Sequence, residues 1–313
     1  MDLHYLKIFH ASASRLSISR AAEELHLSQP AVSIQIKRLE EVLRLKLFDR
    51  IGRKIYLTQN GEILYKYTTK IFDLVMEAEA QIYKLNGTIW GSVQVGATNT
   101  PGIYIMPRVL GKFKKQYPDV VANLRVSNGH EIEEMLYQNR IDFAVMSGEP
   151  VRVWKGALHV EKIYTDQAAL IVSPEHRLAK KKETRIDELA GEVYITQARD
   201  SALFRLLEGI LSEIGMPLDI SMSLGSTDAI KQAVTYNLGI SFLPKITVKL
   251  DLKLGLLKEV TLNKKKWKYE YYLVYRKDKK LMPAVEKLME LCKEEADNME
   301  KSDSAPIAGV IKA

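Results

Sequence analysis

The chain has 313 residues, of which 46% are hydrophobic and 27% charged, the composition of an ordinary globular protein with room for two or three domains. One cysteine excludes an internal disulfide framework, and no apolar run approaches the roughly 20 residues that cross a bilayer. Residues 1–10 show no secretory signal, so a cytoplasmic protein without a membrane partner is expected. The net charge of +7 fits either a polyanion-binding protein or a lysine-rich surface.

Two short helical patterns lie close together between residues 16 and 43. Ser17 is a good N-cap for the first, in which Ala21 and Ala22 are small enough for a close approach of two helices. Ser28 is the N-cap of the second, and Pro30 falls in its first turn, where a missing N–H is harmless. A hydrophobic stripe then follows at helical spacing, formed by Val32, Ile36, Leu39 and Leu43. This layout predicts a helix-turn-helix.

The opposite face of the second helix carries the candidate DNA contacts. A helix in the major groove reads base edges with its N-terminal side chains and holds phosphates with basic ones. The candidate set comprises Ser28 at the start of the helix, the base readers Gln29, Pro30, Ser33 and Ile34, and the phosphate anchors Lys37 and Arg38. The alternative at this point is a surface helix of a helical bundle.

A β-hairpin is predicted directly after these helices, because Ile55 and Leu57 alternate behind a Gly-centred basic turn. Arg50, Arg53 and Lys54 near its tip suit the DNA backbone or the minor groove. Residues 1–58 hold 10 Lys and Arg against 6 Asp and Glu, so +4 of the net charge lies here. A winged helix-turn-helix domain over 1–58 is therefore favoured over a bundle.

A long helix is predicted over residues 59–88, with Thr58 as its cap and Asn86-Gly87 as its stop. Its apolar stripe recurs every three or four residues, at Leu64, Tyr67, Ile71, Leu74, Ala78, Ile82 and Leu85. Because a small winged domain cannot bury so long a stripe, a partner helix and a homodimer are expected. A long connector within one chain is the alternative.

From residue 89 the pattern changes to alternating strands and helices. Strands are predicted at 93–98, 121–127, 141–146, 168–172, 193–197, 238–243 and 269–275, and helices at about 101–116, 131–139, 202–214 and 227–236. This alternation predicts parallel sheets with crossover helices, in two α/β lobes with a ligand crevice at the strand ends. The expected lobes are about 89–161 with 268–300, and about 162–267, followed by a poorly ordered tail at 301–313.

Short hydroxyl and amide side chains lie where predicted strands end and the following helices begin. The candidate effector residues are Thr98, Asn99, Thr100, Asn128, Thr196, Gln197, Ser226 and Thr227. Helix N-termini with such side chains favour carboxylates and other oxyanions, so a pocket for a small anion is predicted. The alternative is that each residue only caps a helix.

At this point the sequence resembles the LysR-type transcriptional regulators. The resemblance rests on SRAAEELHLSQPAVS at 19–33, Arg38-Leu39-Glu40, Leu47-Phe48-Asp49-Arg50 and Leu57-Thr58-Gln59-Asn60-Gly61. Weaker matches continue to about residue 295, among them Asp142-Phe143-Ala144 and GISFLP at 239–244. Within the family the chain is similar to regulators of the autotrophy and sulfur-metabolism type.

The resemblance implies a winged helix, a dimerising linker helix and a two-lobed effector domain like a periplasmic binding protein. It also implies a homotetramer that bends promoter DNA under the control of a small molecule held between the lobes, without a cofactor. By position it assigns 98–100 to the first-lobe pocket, and 196–197 with 226–227 to the second-lobe side. Two departures stand out: Ile34 replaces a residue that is usually arginine or another polar one, and 198–202 lacks the Gly-Ser-Gly-Thr-Arg type of segment.

Two rival classes are disfavoured. An enzyme is not expected, because the six histidines form no metal-ligand spacing and no nucleophile motif appears. A solute-binding protein would need an export signal and has no use for the winged segment. Cys292 shares a helical face with Val285 and Leu288, which predicts a buried packing thiol in preference to a redox sensor.

Overall fold

The computed structural model describes residues 2–52, 54–85, 89–150, 156–181, 183–216, 220–262 and 265–304. The chain forms two compact units, Met1–Thr88 and Ile89–Ala313. No helix in the described ranges is both long enough and apolar enough to cross a membrane.

The first unit contains four helices and a hairpin in its described residues. They are α1 (Leu3–Arg15), α2 (Ile18–Glu24), α3 (Gln29–Leu43), β1 (Phe48–Ile51), β2 (Lys54–Leu57) and α4 (Gln59–Leu85). The sequence patterns did not identify α1, which supplies Leu6, Phe9 and Ala13 to the core shared with Leu39 and Leu47. The helix-turn-helix is thus packed on a third helix.

The predicted caps of α2 and α3 are confirmed. The Ser17 hydroxyl accepts a hydrogen bond from the Arg20 N–H, and the Ser28 hydroxyl accepts one from the Ala31 N–H. Between the helices, His26 adopts a left-handed conformation with φ of 53°. Ala21 is fully buried, as the close crossing of the helices requires.

The predicted wing is present as the antiparallel pair β1 and β2, in which Ile51 is opposite Lys54 across a tight turn. Gly52 has φ of 63°, a conformation that glycine adopts without strain. The Glu40 carboxylate accepts hydrogen bonds from the Leu47 and Phe48 N–H groups at 2.7 and 3.2 Å, which ties α3 to the start of the wing.

The start of α4 is also as predicted, because the Thr58 hydroxyl accepts a hydrogen bond from the Gly61 N–H at 3.0 Å. A Cβ atom on Gly61 would lie 2.1 Å from the Leu47 carbonyl oxygen, so only glycine fits between α4 and the wing. The predicted stop at Asn86-Gly87 and the side chain of Leu85 lie outside the described residues.

The second unit alternates strands with helices. Its elements are β3 (Gly91–Ala97), α5 (Asn99–Tyr104), α6 (Met106–Gln116), β4 (Val120–Val126), α7 (Gly129–Tyr137), β5 (Phe143–Ser147), β6 (Leu158–Val172), β7 (Glu183–Thr184), β8 (Tyr194–Thr196), α8 (Ala202–Glu213), β9 (Ile220–Ser223), α9 (Thr227–Thr235), β10 (Ser241–Pro244), α10 (Lys245–Leu254), β11 (Lys258–Leu262), β12 (Trp267–Arg276) and α11 (Pro283–Ser304).

These strands form two sheets. One has the order β4-β3-β5-β12-β6-β11-β7 with β10 also on β6, and the other pairs β8 with β9. We call the part built on β3, β4 and β5 with α5, α6, α7 and α11 the first lobe. The second lobe is the part built on β7 to β11 with α8, α9 and α10. The long strands β6 and β12 run through both lobes.

The expectation of parallel sheets is wrong for the central strands. β3 is parallel to β4 and β5, but β12 is antiparallel to both β5 and β6, and β10 and β11 are antiparallel to β6. The reason is the connection between the lobes: the chain enters the second lobe along β6 and returns along its neighbour β12, in the opposite direction.

Three boundaries also differ from the predictions. The helix predicted at 101–116 is two helices, because the backbone breaks at Ile105 and α6 restarts with Pro107 in its first turn. The strand predicted at 168–172 begins ten residues earlier, where the half-exposed start of β6 carries too many polar residues to be recognised. Helix α11 continues through Ser304, so the start of the predicted tail is helical, and 305–313 lie outside the described residues.

The buried face of α11 confirms the prediction for Cys292. Val285, Leu288 and Cys292 are all at most 1% exposed and pack in the main core. Burial raises the pKa of the Cys292 thiol to about 12, so the thiol stays protonated and unreactive near neutral pH.

Candidate DNA-binding face and interlobe site

The two faces of α3 differ as the helix-turn-helix pattern predicts. Val32, Ile36 and Leu39 are at most 6% exposed. On the other side the structure exposes Gln29, Pro30, Ile34, Lys37 and Arg38, with Ser33 half-buried and Ser28 exposed while capping the helix. The predicted base readers and phosphate anchors therefore share one accessible face.

The basic side chains near this face are accessible to an anionic partner. Lys37 lies 3.9 Å from Glu41 in an exposed pair, which contributes little to stability and is easily exchanged for a phosphate. Arg50 is exposed on β1 of the wing. The side chains of Arg53 and Lys54 lie outside the described residues.

The stripe predicted on α4 divides into two parts. Leu64 and Ile71 pack against the core of the first unit. The remaining described stripe residues are exposed within the single chain, with Tyr67 at 60%, Leu74 at 63% and Ile82 at 61%, beside Ala78. A long helix that presents large apolar side chains to solvent offers a surface to a partner.

Of the candidate effector residues, Thr98 is placed at the end of β3 and is 8% exposed. Its hydroxyl oxygen accepts a hydrogen bond from the Ser147 N–H at 2.8 Å and lies 3.3 Å from the Ser147 hydroxyl. Thr98 makes no side-chain capping bond to α5, so the capping alternative does not apply to it. Thr100 is 4% exposed, and the amide oxygen of Asn99 is buried without a partner among the described residues.

Tyr269 on β12 joins this group from the long strand between the lobes. Burial raises the pKa of its hydroxyl to about 12, and the charge of Asp166 adds to that rise. The Ser147 side chain, the charge of Arg205 and the Thr100 side chain oppose it. We call Thr98, Thr100, Ser147, Tyr269 and Arg205 the interlobe site.

On the second lobe, Thr196 and Thr227 are both 1% exposed. The Gln197 amide donates a hydrogen bond to the Thr227 hydroxyl at 3.4 Å, and the Thr196 hydroxyl has no partner among the described residues. Ser226 caps α9 through the Ala229 N–H.

Asn128 in the first lobe also behaves as a cap. It is exposed and accepts a hydrogen bond from the Glu131 N–H at 2.9 Å, at the start of α7. The alternative that a residue only caps a helix therefore holds for Asn128 and Ser226 but not for Thr98.

A separate depression of about 560 Å³ on the second lobe is lined by residues between Arg185 and Met216 and by none of the candidate effector residues.

A direct bond joins the lobes beside this site. The Tyr104 hydroxyl on α5 donates a hydrogen bond to the Asp228 carboxylate on α9 at 2.7 Å. The Lys231 ammonium lies 3.3 Å from Asp228 and 3.0 Å from Asp251. Burial alone would lower the pKa of Lys231, but Asp251 and Tyr104 together outweigh it, so this pKa is raised and the cation is retained.

Comparison with protein-family models identifies the class of protein to which the chain belongs. The model described as the LysR substrate binding domain matches residues 87–297. The model of the bacterial regulatory helix-turn-helix protein, lysR family, matches residues 3–62. This chain belongs to the LysR family.

LysR-family relatives match along nearly the whole chain. The RuBisCO operon transcriptional regulator of Allochromatium vinosum is 31% identical over 299 residues, 96% of this chain and 98% of that protein. A full-length OxyR variant from Pseudomonas aeruginosa has the same fold, with a TM-score of 0.71, 19% identity and coverage of 95% of this chain and 94% of that one.

The regulatory domain of CcmR from Synechocystis PCC6803, solved in complex with 2-PG, is 23% identical with a TM-score of 0.61. The match covers 67% of this chain and 99% of the CcmR domain.

From the two family models and the full-length relative, the chain is a DNA-binding transcriptional regulator of the LysR family, with an N-terminal helix-turn-helix domain and a two-lobed effector domain. The helix-turn-helix match overturns the alternative of a plain solute-binding protein.

The sequence patterns missed Ser147, Tyr269 and Arg205. Ser147 ends a buried strand, so the rule that selected Thr98 and Thr196 could have found it. Tyr269 resembles an ordinary strand tyrosine, and Arg205 an ordinary helix arginine. Among the residues described here, no group of three or more His, Cys, Asp or Glu side chains is placed to hold a metal ion.

Proposed function

We propose that this LysR-family protein binds promoter DNA through the exposed face of α3, under the control of a small acidic effector in the interlobe site. The observation that supports this most directly is α3 itself. Its apolar side is buried while Gln29, Ile34 and Lys37 stand exposed on the other. A partner with a groove of helix width, such as the major groove of DNA, engages all three at once.

The side chains on this face have different roles. Lys37 and Arg38 neutralise phosphates, as Arg50 does from the wing, so they provide affinity that falls with salt. Gln29 and Ser33 offer hydrogen bonds to base edges. Ile34, 52% exposed, has no hydrogen-bonding group and contacts a thymine methyl.

The exposed stripe of α4 supports a homodimer formed by two copies of this helix. A dimer places two recognition helices on successive major grooves, as a two-fold symmetric site requires. The LysR resemblance extends this to a homotetramer that bends its promoter, and a promoter-binding protein acts in the cytoplasm. No cofactor takes part.

The acidic nature of the effector is supported by the chemistry of the interlobe site. Thr98, Ser147 and Tyr269 bring hydroxyl groups to the same strand ends as a positively charged arginine. Hydroxyl donors and a guanidinium together suit carboxylates and phosphates. The CcmR regulatory domain, which shares this fold, was solved with 2-PG.

The DNA-binding role is tested with the full-length protein and a duplex selected from a random library. Fluorescence anisotropy at about 50 to 300 mM salt compares the wild type with a double variant, Ser33→Ala with Lys37→Ala. We expect binding roughly 10-fold weaker or more and a shallower salt dependence, since one phosphate contact is lost. Lys253→Ala, at an exposed lysine of α10, is the matched control. Equal binding by the double variant and the control would contradict the role of α3.

A further inference from the structure

The hydrogen bond from Tyr104 to Asp228 joins two helices that also carry candidate effector residues. Tyr104 is the last residue of α5, whose first turn holds Asn99 and Thr100. Asp228 is the second residue of α9 and directly follows Thr227. A contact at this place therefore helps to fix the separation of residues that belong to different lobes.

We call Tyr104, Asp228, Lys231 and Asp251 the junction, and its three charged members all belong to the second lobe. The Lys231 ammonium lies 3.3 Å from Asp228 on its own helix and 3.0 Å from Asp251 on α10. The side chains of Lys231 and Asp251 are only 12% and 16% exposed, so solvent screens their attraction weakly. The second lobe thus neutralises its own lysine, whether or not the first lobe is in contact.

The first lobe contributes a neutral side chain to the junction. The Tyr104 hydroxyl donates to Asp228 at 2.7 Å, and its ring centroid lies 5.6 Å from the Lys231 Nζ, within the range of a cation–π contact. The Asp228 side chain is 48% exposed, so water can take the place of the tyrosine hydroxyl. Separation of the lobes would therefore leave every charge of the junction with a partner or with water.

This division of charges makes the contact reversible. An ion pair whose partners lay in different lobes would leave a partly buried charge unpaired on opening, which is strongly destabilising. Opening of the junction breaks one hydrogen bond from a neutral donor and one ring contact. The loss of one such hydrogen bond shifts an equilibrium roughly 3- to 10-fold. A contact of that strength biases the arrangement of the lobes without locking it.

We infer that Tyr104 and Asp228 form a latch between the lobes, which holds α5 on α9 and opens without breaking the ion pairs of Lys231. The latch concerns the motion of the lobes and does not depend on which molecule the effector domain binds. A ligand that favours separated lobes acts against the latch, and one that favours adjoining lobes acts with it. The strength of the latch therefore sets the size of the response in either case.

The test measures the distance between the lobes in the full-length protein. Spin labels are attached through Lys115→Cys on α6 and Glu208→Cys on α8, two exposed positions outside the junction. Cys292 is fully buried and its thiol stays protonated, so it does not take a label. Labelled chains are mixed with an excess of unlabelled ones, so that double electron–electron resonance records distances within one chain.

We expect one principal distance when the latch is intact. Tyr104→Phe keeps the ring and loses the hydroxyl, so it should shift the ratio of adjoining to separated lobes roughly 3- to 10-fold toward separation, with a population more than about 2 Å longer. Asp228→Asn added to that variant should lengthen the distance no further, because the latch is already lost. Tyr236→Phe, at a tyrosine that follows α9 and is 76% exposed, should keep the original distance. Thermal unfolding verifies that each variant is folded.

Hydrogen exchange followed by mass spectrometry detects separations that are too rare for the distance measurement, because the exchange rate follows the open fraction. Peptides from α5 and from α9 should both exchange roughly 3- to 10-fold faster in Tyr104→Phe, while peptides from α3 should not change. Faster exchange in only one of the two helices at an unchanged distance would indicate local fraying and overturn the latch. A folded Tyr104→Phe variant with the original distance and the original exchange rates would overturn it as well.

Discussion

Tyr104 and Asp228 are 124 positions apart in sequence, yet the Tyr104 hydroxyl donates a hydrogen bond to the Asp228 carboxylate at 2.7 Å. The bond joins α5 of the first lobe to α9 of the second, and Lys231 holds the same carboxylate at 3.3 Å. Burial, followed by this hydrogen bond, raises the pKa of Tyr104 to about 12, so its proton is retained at any physiological pH.

We expect Tyr104→Phe to lower the free energy of unfolding of the second unit by about 1 kcal/mol, because Asp228 loses a donor but keeps Lys231. Urea denaturation at neutral pH measures this loss. The control Tyr236→Phe removes the hydroxyl of a tyrosine that is 76% exposed and should change nothing. Equal stabilities of the two variants would show that the bond between the lobes is not stabilising.

Ile34 should determine base preference more than affinity. Replacement by alanine removes the contact with a thymine methyl, so we expect a loss of about 1 kcal/mol on the best site and almost none where that thymine is replaced by cytosine. Ile34→Arg should shift the preference toward guanine. Binding to a set of single-base half-site variants measures both. An unchanged order of preference in the arginine variant would contradict the contact.

The exposed apolar stripe of α4 predicts which substitution should weaken the proposed dimer. A charge at Leu74, 63% exposed in the single chain, would be buried in a helix pair, so Leu74→Glu should weaken dimerisation by about 2 kcal/mol or more. Light scattering at graded protein concentrations measures the dissociation constant. Leu250→Glu provides the control, at a leucine of α10 that is 66% exposed. If both variants remain dimeric to the same dilution as the wild type, α4 is not the interface.

His10 makes the first unit sensitive to acid. It stacks on Tyr65 with 5.1 Å between ring centroids and lies 3.1 Å from the Thr68 hydroxyl. Burial lowers its pKa to about 4, against an opposing effect of Glu24. At pH 5 the unfolded chain takes up a proton there and the folded chain does not. Stability is therefore full above the unfolded pKa near 6.5 and falls as the pH falls toward 4.

The expected loss between pH 7 and pH 5 is on the order of 2 kcal/mol. Urea denaturation of the wild type and His10→Gln at several pH values measures it, because the variant should lose that part of the slope. His26→Gln, at an exposed histidine, should keep the wild-type slope. Identical slopes in all three proteins would show that His10 is not the group responsible.

Several features were predictable from sequence because they depend on contacts within one or two turns. Ser17 and Ser28 cap helices through N–H groups three residues later, and the buried stripe of α3 repeats every three or four residues. The wing turn needs only Gly52 and its neighbours. Such signals are local in the chain, so one sequence is enough to read them.

Helix α1 and the start of β6 show why some elements were missed. Each has one buried side, but its many polar residues hide the regular spacing of the buried ones. The elements that pack against that side are distant in the sequence. The direction of β12 depends on how two lobes share a pair of strands, which no local pattern records.

The sequence by itself determined that this protein is a winged-helix regulator with two α/β lobes, because the caps, stripes and motif residues of that plan are close neighbours along the chain. Only the tertiary structure decided which side chains form the interlobe site. The Thr98 hydroxyl accepts a hydrogen bond from the Ser147 N–H, 49 positions away, and the Arg205 guanidinium lies beside Gly148 of the other lobe. Contacts of that range depend on the packing of whole strands and helices, and packing is a property of the folded chain.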